Sequence, residues 1–193
     1  MVGEGAEAKI YSERIFGKEL LVKVRESKRY RVAQLDGSIR RWRTRNEAKI
    51  MGVLYSAGIP IPRVVALGEF AIYMERLNGK LMKDFDFKAS EVEESGRILA
   101  RMHSLGIVHG DFTPANIMVD RGRVAVIDFG LSEFSKADEE RALDLLLIKR
   151  AISPTLYKKF AEGYASKSKG GRSVFRRLAE IETRGRYQTR TLL

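Results

Sequence analysis

Two short polar motifs, separated by a predicted β-hairpin, constrain this chain more than any other part of its sequence. The first motif is Val108-His109-Gly110-Asp111-Phe112-Thr113-Pro114-Ala115-Asn116, and the second is Asp128-Phe129-Gly130. Between them, apolar residues at 117–119 and 124–127 flank residues 120–123, which predicts two short strands and a turn. An acid, an amide and a second acid are therefore expected at the two ends of one hairpin.

An acid, an amide and an acid in this order are typical of the phosphoryl-transfer site of a kinase-type fold. Asp111 would orient the attacking hydroxyl or water and accept its proton, as the catalytic residue. Asn116 and Asp128 would supply oxygen ligands to the Mg²⁺ ion that bridges the phosphates of ATP. This chemistry needs positioning and charge neutralisation rather than Cys or His. A surface loop with incidental acids explains either motif alone, but it explains the two together poorly.

Two further segments are expected to bind ATP through their backbone. Gly3-Glu4-Gly5-Ala6-Glu7-Ala8 has the form of a degraded kinase glycine loop, in which Ala8 replaces the third glycine. Two glycines near a terminus mean little by themselves. Glu75 and Leu77 end the last strand predicted in the first half of the chain, and their backbone would bind the adenine in a hinge.

Lys23 and Glu47 are expected to form an ion pair that serves the nucleotide. Lys23 lies in the apolar segment Leu20-Leu21-Val22-Lys23-Val24, so it needs a partner, and Glu47 on the following helix is the natural one. The pair would hold the ammonium group on the α- and β-phosphates. The alternatives are an edge-strand lysine that points outward, and a local pair of Glu47 with Arg43 or Arg45.

Composition limits the kind of protein that this chain can be. It has 193 residues, 44% of them apolar, which is enough for one domain with a core. It has no cysteine and two histidines, which excludes disulfides, thiolate nucleophiles and Cys-ligated metal sites. No apolar run reaches the roughly 18 residues of a membrane span, and the N-terminus does not resemble a secretion signal. We therefore expect a cytoplasmic protein.

The positive charge is concentrated in two segments. The formal net charge is +11; residues 20–50 carry ten Lys or Arg against three acids, and residues 167–193 carry eight against two. Such clusters favour a polyanionic partner such as RNA. The alternative is a solvated face for the first segment and a frayed tail for the second.

The hydrophobic pattern predicts an α+β fold in two lobes. Strands are expected at 8–14, 19–25, 64–66 and 70–74, and a helix at 36–55 with Ile39, Trp42, Ile50, Val53 and Leu54 at helical spacing. The turn Asn78–Gly79 marks the boundary, which gives an N-lobe at 1–77, a C-lobe at 78–183 and a basic tail at 184–193. The C-lobe should contain helices at 90–104, 136–150, 153–166 and 172–184, and Ser90 with Glu93 should form a capping box.

Three polar residues of the C-lobe are expected to be structural. His103 and His109 should form local hydrogen bonds, with His109 supporting the catalytic loop. Asp144 lies in the apolar segment Ala142-Leu143-Asp144-Leu145-Leu146-Leu147. A buried carboxylate needs hydrogen-bond donors, and the backbone of the catalytic loop can provide them.

These residues resemble a known family over essentially the whole chain. The sequence is similar to the small atypical serine/threonine kinase/ATPase subunit of the KEOPS complex (the PRPK family) in its stand-alone archaeal form. The resemblance rests on the loop at 3–8, on Arg43-Thr44-Arg45-Asn46-Glu47-Ala48, on the motif at 109–116 and on the short basic tail. It implies a minimal bilobal kinase fold, binding of ATP and Mg²⁺, autophosphorylation, and ATP hydrolysis in support of threonylcarbamoyladenosine formation in tRNA. It also implies a partnership with the threonylcarbamoyltransferase subunit and other KEOPS subunits, with the basic tail near tRNA.

The chain departs from ordinary protein kinases at three points. Gly110 replaces the arginine that clamps a phosphorylated activation loop, and Thr113 replaces a lysine that contacts phosphate. After Gly130 there is no room for an activation segment before the helix predicted from Lys136. These losses favour water, the protein itself or a docked partner as the phosphoryl acceptor.

Two other functions fit part of the sequence. A small-molecule phosphotransferase of the aminoglycoside or choline kinase type also uses His-Gly-Asp and a downstream Asn. Such enzymes carry a larger helical lobe than the 65 residues that follow Asp128 would allow. A pseudokinase that serves as a basic RNA-binding scaffold would have no need for the full set of Lys23, Asp111, Asn116 and Asp128.

Overall fold

The structure is a computed structural model that describes residues 3–4, 8–15, 17–28, 32–168 and 170–188. The chain divides into two compact units, each described by itself below. The first unit contains the described residues up to Asn78 together with Asp128–Gly130; the second contains Gly79–Ile127 and the described residues from Leu131 onward. Within the described ranges, no helix has both the length and the apolar character needed to span a membrane.

An antiparallel sheet of five strands forms the base of the first unit. The strands are β1 (Gly3–Glu4), β2 (Lys9–Ile15), β3 (Lys18–Val24), β4 (Val64–Leu67) and β5 (Ala71–Glu75), in the order β1-β2-β3-β5-β4. The sequence pattern predicted β2 to β5 to within one or two residues. Because β3 has β2 on one side and β5 on the other, it is a central strand.

One long helix, α1 (Ala33–Ser56), completes the first unit and contacts β4 and β5. Ile50 and Leu54 are fully buried, as their spacing predicted. Trp42 and Val53 belong to the same spacing but are 65% and 37% exposed, so the spacing that predicted the helix does not by itself mark its buried face. The buried face of α1 is partly polar instead, because it includes Glu47.

Helices dominate the second unit, with short strand pairs between them. Its helices are α2 (Ala89–Ser104), α3 (Asp138–Ala151), α4 (Pro154–Lys167) and α5 (Gly171–Gln188), and its strands are β6 (Lys80–Leu81), β7 (Ile107–Val108), β8 (Ile117–Asp120), β9 (Arg123–Val126) and β10 (Glu133–Phe134). The predicted hairpin is present as β8 and β9. The pairs β6–β8 and β7–β10 were not predicted, since two-residue strands carry no periodic signal.

Helices α2 and α4 make the most extensive contact of the second unit. A Cβ atom on Gly96 of α2 would lie 2.2 Å from the carbonyl oxygen of Phe160 on α4, so only glycine permits this approach. Apolar side chains fill the core around the two helices: Ile98, Leu99, Met102, Phe112, Val126, Leu145, Phe160 and Val174.

Two boundaries in the second unit differ from the sequence prediction. Helix α2 begins before Ser90: Lys88 is the N-cap, and its backbone N–H donates to Oε2 of Glu91 at 2.7 Å. The capping box predicted for Ser90 and Glu93 was therefore wrong by about half a turn. Residues 184–188, assigned to the tail from sequence, continue α5 to Gln188.

Candidate active-site residues

Lys23 lies in the middle of the first unit's sheet. It is a residue of the central strand β3, with Ile10 of β2 and Ile72 of β5 as its cross-strand neighbours. Its side chain is 7% exposed, and its Nζ lies 2.6 Å from Oε1 of Glu47. The predicted ion pair is present, and the edge-strand alternative for Lys23 is wrong.

Asp128 contacts the same ammonium group of Lys23 that pairs with Glu47. Its Oδ1 lies 2.7 Å from Nζ of Lys23 and accepts a second hydrogen bond from the backbone N–H of Gly130 at 3.1 Å. The backbone of Asp128 has φ near 60°, a left-handed conformation that aspartate tolerates better than most residues. This conformation directs the carboxylate back toward Lys23, while 49% of the side chain stays exposed.

Arg25 is a third partner in this cluster, and the sequence analysis missed it. Its Nη2 lies 2.6 Å from Oε2 of Glu47, and its side chain is 4% exposed. The signal was present in the spacing, because residues i and i+2 of a strand face the same side of a sheet. Lys23, Arg25, Glu47 and Asp128 are called the charged quartet below.

The quartet also changes the interpretation of the basic segment at 20–50. Several of its cations are matched by acids within the first unit: Lys23 and Arg25 by Glu47, Arg40 by Asp36 at 2.7 Å, and Arg41 by Glu69 at 2.6 Å. Glu47 and Asp36 belong to the segment itself, so only Glu69 and Asp128 add acids from outside it, and ten basic residues against five acids still leave +5. These ion pairs show that part of the segment is a folded surface, but most of its positive excess remains.

In the second unit, Asp111 and Asn116 contact each other. The Nδ2 group of Asn116 donates to the backbone oxygen of Asp111 at 2.9 Å and to its Oδ2 at 2.8 Å. Both Nδ2 hydrogens are therefore engaged, and Oδ1 of Asn116 is the side-chain atom left for a metal. The amide thus orients the carboxylate of Asp111.

Asp144 holds the backbone of the catalytic loop, as predicted. Its Oδ2 accepts from the N–H of His109 at 2.7 Å, and its Oδ1 accepts from the N–H of Gly110 at 2.8 Å. The carboxylate is 1% exposed, so these donors offset the cost of its burial. The direct effect is to fix the chain direction immediately before Asp111.

His109 supports the loop from its side-chain end. Its Nδ1 accepts a hydrogen bond from the N–H of Asp111 at 3.2 Å, so its Nε2 carries the proton and donates to the carbonyl of Ile127 at 3.1 Å. The ring is fully buried and meets Phe112 edge to face. The predicted supporting role is confirmed.

His103 and Tyr164 extend the support of Asp144 into the core. Tyr164 donates from its hydroxyl to Nδ1 of His103 at 2.8 Å, and Nε2 of His103 donates to Oδ2 of Asp144 at 3.1 Å. Burial lowers the pKa of His103 against the opposing effect of Asp144, so the ring is neutral. Burial also raises the pKa of Tyr164 to about 12. His103, His109 and Asp144 are called the loop frame below.

Gly110 has no room for a side chain. Its φ is near 79°, and a Cβ atom would lie 2.4 Å from the carbonyl oxygen of Leu131. An arginine is therefore excluded at this position by the backbone itself. After Gly130 the chain goes directly into β10, which pairs with β7, and then into α3 at Asp138.

The other predicted ATP-binding residues are only partly described. Gly3 lies in β1 opposite Ile10, and Ala8 is buried, whereas Gly5, Ala6 and Glu7 lie outside the described residues. Glu75 donates its backbone N–H to the carbonyl of Arg63 at 2.9 Å, so that group is already used. Leu77 is half-buried. The adenine-binding role of Glu75 and Leu77 stays a prediction.

The donor chemistry fits Mg²⁺ with a phosphate ligand better than a protein-only metal site. Among the described residues, no three His, Cys, Asp or Glu side chains gather closely enough to hold a metal. Mg²⁺ commonly takes one or two protein oxygens and completes its shell with water and phosphate. The exposed carboxylate of Asp128, in the first unit, is an oxygen donor of this type, and so is the Oδ1 of Asn116, in the second.

The fold is that of known kinases. Two solved structures show this fold. The first is the Rio2 kinase from Chaetomium thermophilum in its ADP/Mg²⁺-phosphoaspartate complex. It has a TM-score of 0.69 and 18% identity, over 96% of this chain and 70% of that chain. Macrolide 2′-phosphotransferase MphH from Brachybacterium faecium has a TM-score of 0.70 and 13% identity over 92% and 80%. The prediction of a protein-kinase-like α+β fold is confirmed.

Relatives found by sequence identify the family more closely than the fold does. The KEOPS complex subunit Bud32 of Pyrococcus abyssi is 37% identical over 99% of this chain and 97% of its own length. A probable serine/threonine-protein kinase, the BUD32 homolog of Archaeoglobus fulgidus, is also 37% identical, over 98% and 96%. The chain is 36% identical to a probable bifunctional tRNA threonylcarbamoyladenosine biosynthesis protein of Methanobrevibacter smithii, of which it spans 36%.

A family model also matches this chain. The model described as the RIO domain matches residues 9–162, a range that includes Lys23, Glu47, Asp111, Asn116 and Asp128. Together with the nearly full-length relatives, this match shows that the chain belongs to the RIO-domain family and, within it, to the Bud32 group.

Proposed function

We propose that this protein is an ATP-dependent serine/threonine kinase and ATPase that acts as a KEOPS subunit and supports threonylcarbamoyladenosine formation in tRNA. The observation that carries the proposal is the contact of the buried side chain of Lys23 with both Glu47 and Asp128. In protein kinases, a strand lysine paired with a helix glutamate and the aspartate of Asp-Phe-Gly serve the phosphates and their Mg²⁺. Proteins similar to this chain are a KEOPS complex subunit and a probable tRNA threonylcarbamoyladenosine biosynthesis protein. In this proposal the two compact units serve as the N-lobe and C-lobe of one kinase-like domain, which works in the cytoplasm.

Each residue of the proposed site has a role that its surroundings support. Lys23 binds the α- and β-phosphates, and Glu47 holds its ammonium group in place. Asp111, oriented by Asn116, accepts the proton of the attacking hydroxyl or water. Asp128 and Asn116 hold Mg²⁺, which neutralises charge on the phosphates when it is bound. Backbone groups of Glu75 and Leu77 and the loop at 3–8 bind the rest of ATP.

Replacing Lys23 tests the nucleotide site. We expect K23M to lower the rate of Mg²⁺-dependent ATP hydrolysis by roughly 100-fold or more, since a cation aimed at the phosphates is lost. The matched control is K18M, because Lys18 begins the same strand and is exposed. Equal rates in K23M and the wild-type protein would contradict the proposal.

The acceptor is tested by adding candidate partners to the wild-type protein. We expect purified tRNA together with a threonylcarbamoyltransferase subunit to stimulate ATP hydrolysis. Phosphorylation of an added amino sugar or choline without such stimulation would favour a small-molecule phosphotransferase. Binding of RNA without any ATP turnover would favour a pseudokinase scaffold.

We further propose that the basic C-terminal end lies near tRNA in the assembly. Arg184 is exposed on the last turns of α5, and Arg186 and Arg190 follow it in sequence. Deletion of residues 189–193 leaves α5 intact and removes Arg190. We expect it to weaken tRNA binding and to flatten its salt dependence by about one unit of slope, without a change in ATP affinity. Unchanged binding would return this segment to the interpretation of a frayed tail.

A further inference from the structure

The carboxylate of Glu47 is held by two cations that come from one strand segment. Oε1 contacts Lys23 at 2.6 Å, and Oε2 contacts Arg25 at 2.6 Å. The side chains of Lys23, Arg25 and Glu47 are 7%, 4% and 2% exposed. Each oxygen therefore has its own charged donor inside the protein, and the ion pair of Glu47 does not depend on Lys23 alone.

Lys23 is divided between two carboxylates, whereas Arg25 contacts Glu47. The ammonium of Lys23 donates to Glu47 and, at 2.7 Å, to Asp128. When a phosphate group binds this ammonium group, the phosphate and Glu47 share the positive charge of Lys23. A buried carboxylate without a compensating cation costs free energy. Without a second cation, Glu47 would therefore keep Lys23 from moving toward the phosphate. Arg25 supplies the compensation that lets Lys23 turn to another anion.

The backbone of Arg25 is itself tied to both the sheet and helix α1. Its N–H donates to the carbonyl of Phe70 at 2.9 Å, and its carbonyl accepts from Nη1 of Arg40 at 3.2 Å. Arg40 is fixed in turn by Asp36 at 2.7 Å and lies 3.9 Å from the centre of the Phe70 ring. Arg25, directly after β3, thus attaches the end of that strand to α1.

The guanidinium of Arg25 also lies close to the Asp-Phe-Gly segment. A Cβ atom on Gly130 would lie 3.2 Å from Nζ of Lys23 and 3.5 Å from Nη2 of Arg25. Both cations therefore face the segment that carries Asp128. The charged quartet contains two cations and two carboxylates, so its formal charge is balanced before any ligand binds.

We propose that Arg25 is a positioning residue of the nucleotide site, and this inference rests on the proposed function. It holds Glu47 through Oε2, so that α1 stays attached to the sheet and Lys23 is free to bind phosphate. Arg25 acts through Glu47 and does not itself contact the nucleotide.

A double-substitution cycle tests this role in the full-length protein. The variants are R25M, E47Q and R25M/E47Q, with kcat and KM for Mg²⁺-ATP hydrolysis measured for each. We expect R25M to lower kcat/KM by roughly 10- to 100-fold, because Lys23 is pulled toward an undercompensated Glu47. In the E47Q background, where that carboxylate is neutral, the same substitution should cost less than about threefold.

Two further variants separate positioning from general stability. R25K keeps one cationic donor and should recover part of the lost kcat/KM, which a purely packing role would not require. R41M is the matched control, because Arg41 lies on α1 in an exposed ion pair with Glu69. It should match the wild-type protein in kcat/KM and in its urea unfolding midpoint.

Three outcomes would overturn the inference. An equal loss for R25M with and without E47Q would make Arg25 a direct phosphate ligand. Failure of both R25M and R25K to fold would make it a structural residue. Wild-type kinetics in R25M would remove any role. Absence of ATP hydrolysis in the wild-type protein, with its partners added, would instead contradict the proposed function itself.

Discussion

The two units hold their candidate site residues by different means. In the first unit, the charged quartet consists of side chains that neutralise one another, and Lys23 lies between Glu47 and Asp128. In the second unit, the loop frame orients Asp111 through backbone N–H groups and the ring of His109. The quartet is a set of charges that a bound anion would redistribute, whereas the frame is complete without any ligand.

This difference separates two kinds of contribution to activity. Asp128 is the exposed member of the quartet, so its substitution would remove a proposed ligand-binding group and leave the buried pairs of Glu47 with Lys23 and Arg25 intact. A substitution of Asp144 in the frame removes the acceptor for several buried donors. The conformation of the loop should therefore be disturbed and the stability of the fold should decrease in the variant. Activity and stability are therefore expected to separate at Asp128 in the first unit and to fall together in the loop frame of the second.

The largest expected effect is the loss of turnover on replacing Asp128. D128A should lower Mg²⁺-dependent ATP hydrolysis by about 1000-fold or more, because the proposed metal site would lose its carboxylate ligand. Its urea unfolding midpoint should stay close to that of the wild-type protein, since the side chain is half-exposed. E69A, which removes an exposed carboxylate of the same unit, serves as the control. Unchanged turnover in D128A would remove the metal assignment and erase the contrast between the units.

The next largest effect is expected in the loop frame. D144A leaves the N–H groups of His109 and Gly110 and the Nε2–H of His103 without their acceptor. We expect a loss of about 3 kcal/mol or more in the free energy of unfolding, measured by urea titration. The control D138A, which removes a half-exposed acid of α3, should change it by less than about 0.5 kcal/mol. A stable but inactive D144A would show that the frame serves catalysis alone.

The smallest expected effect is a pH dependence of stability from His103. Burial holds the pKa of His103 below the ordinary value of about 6.5. Below that pH, the unfolded chain therefore protonates this histidine more readily than the folded protein does. The free energy of unfolding should therefore fall as the pH drops below about 6.5, by at most about 1.4 kcal/mol per pH unit. This contribution should be missing from H103Q when urea titrations at pH 7.5 and 5.5 are compared. An identical pH dependence in both proteins would contradict a neutral, buried His103.

Local sequence was sufficient to predict several of the contacts. Lys23 stands alone among apolar strand residues, and Glu47 is an acid among the basic residues of the next helix, so their pairing followed from the need for compensation. Asp144 was predicted to bind the catalytic-loop backbone for the same reason. A buried charge restricts its own partners, which makes it easy to interpret from sequence.

Other features could not be predicted because they depend on neighbours that are distant in sequence. Trp42 follows the helical spacing of Ile50 but lies on the exposed side of α1. Glu47, paired with Lys23 and Arg25, lies on the buried side. The position of Gly96 against Phe160 depends on how α2 meets α4. Arg25 looked like one of ten basic residues until the strand placed it beside Glu47.

The sequence by itself determined the kind of fold, the order of the motifs and the residue types available for chemistry, because periodicity and spacing are local properties of a chain. Only the tertiary structure decided which charge neutralises which, since a cation can be assigned to an acid only when their separation and burial are known. The division of Lys23 between two carboxylates, and the second cation on Glu47, are decisions of this kind.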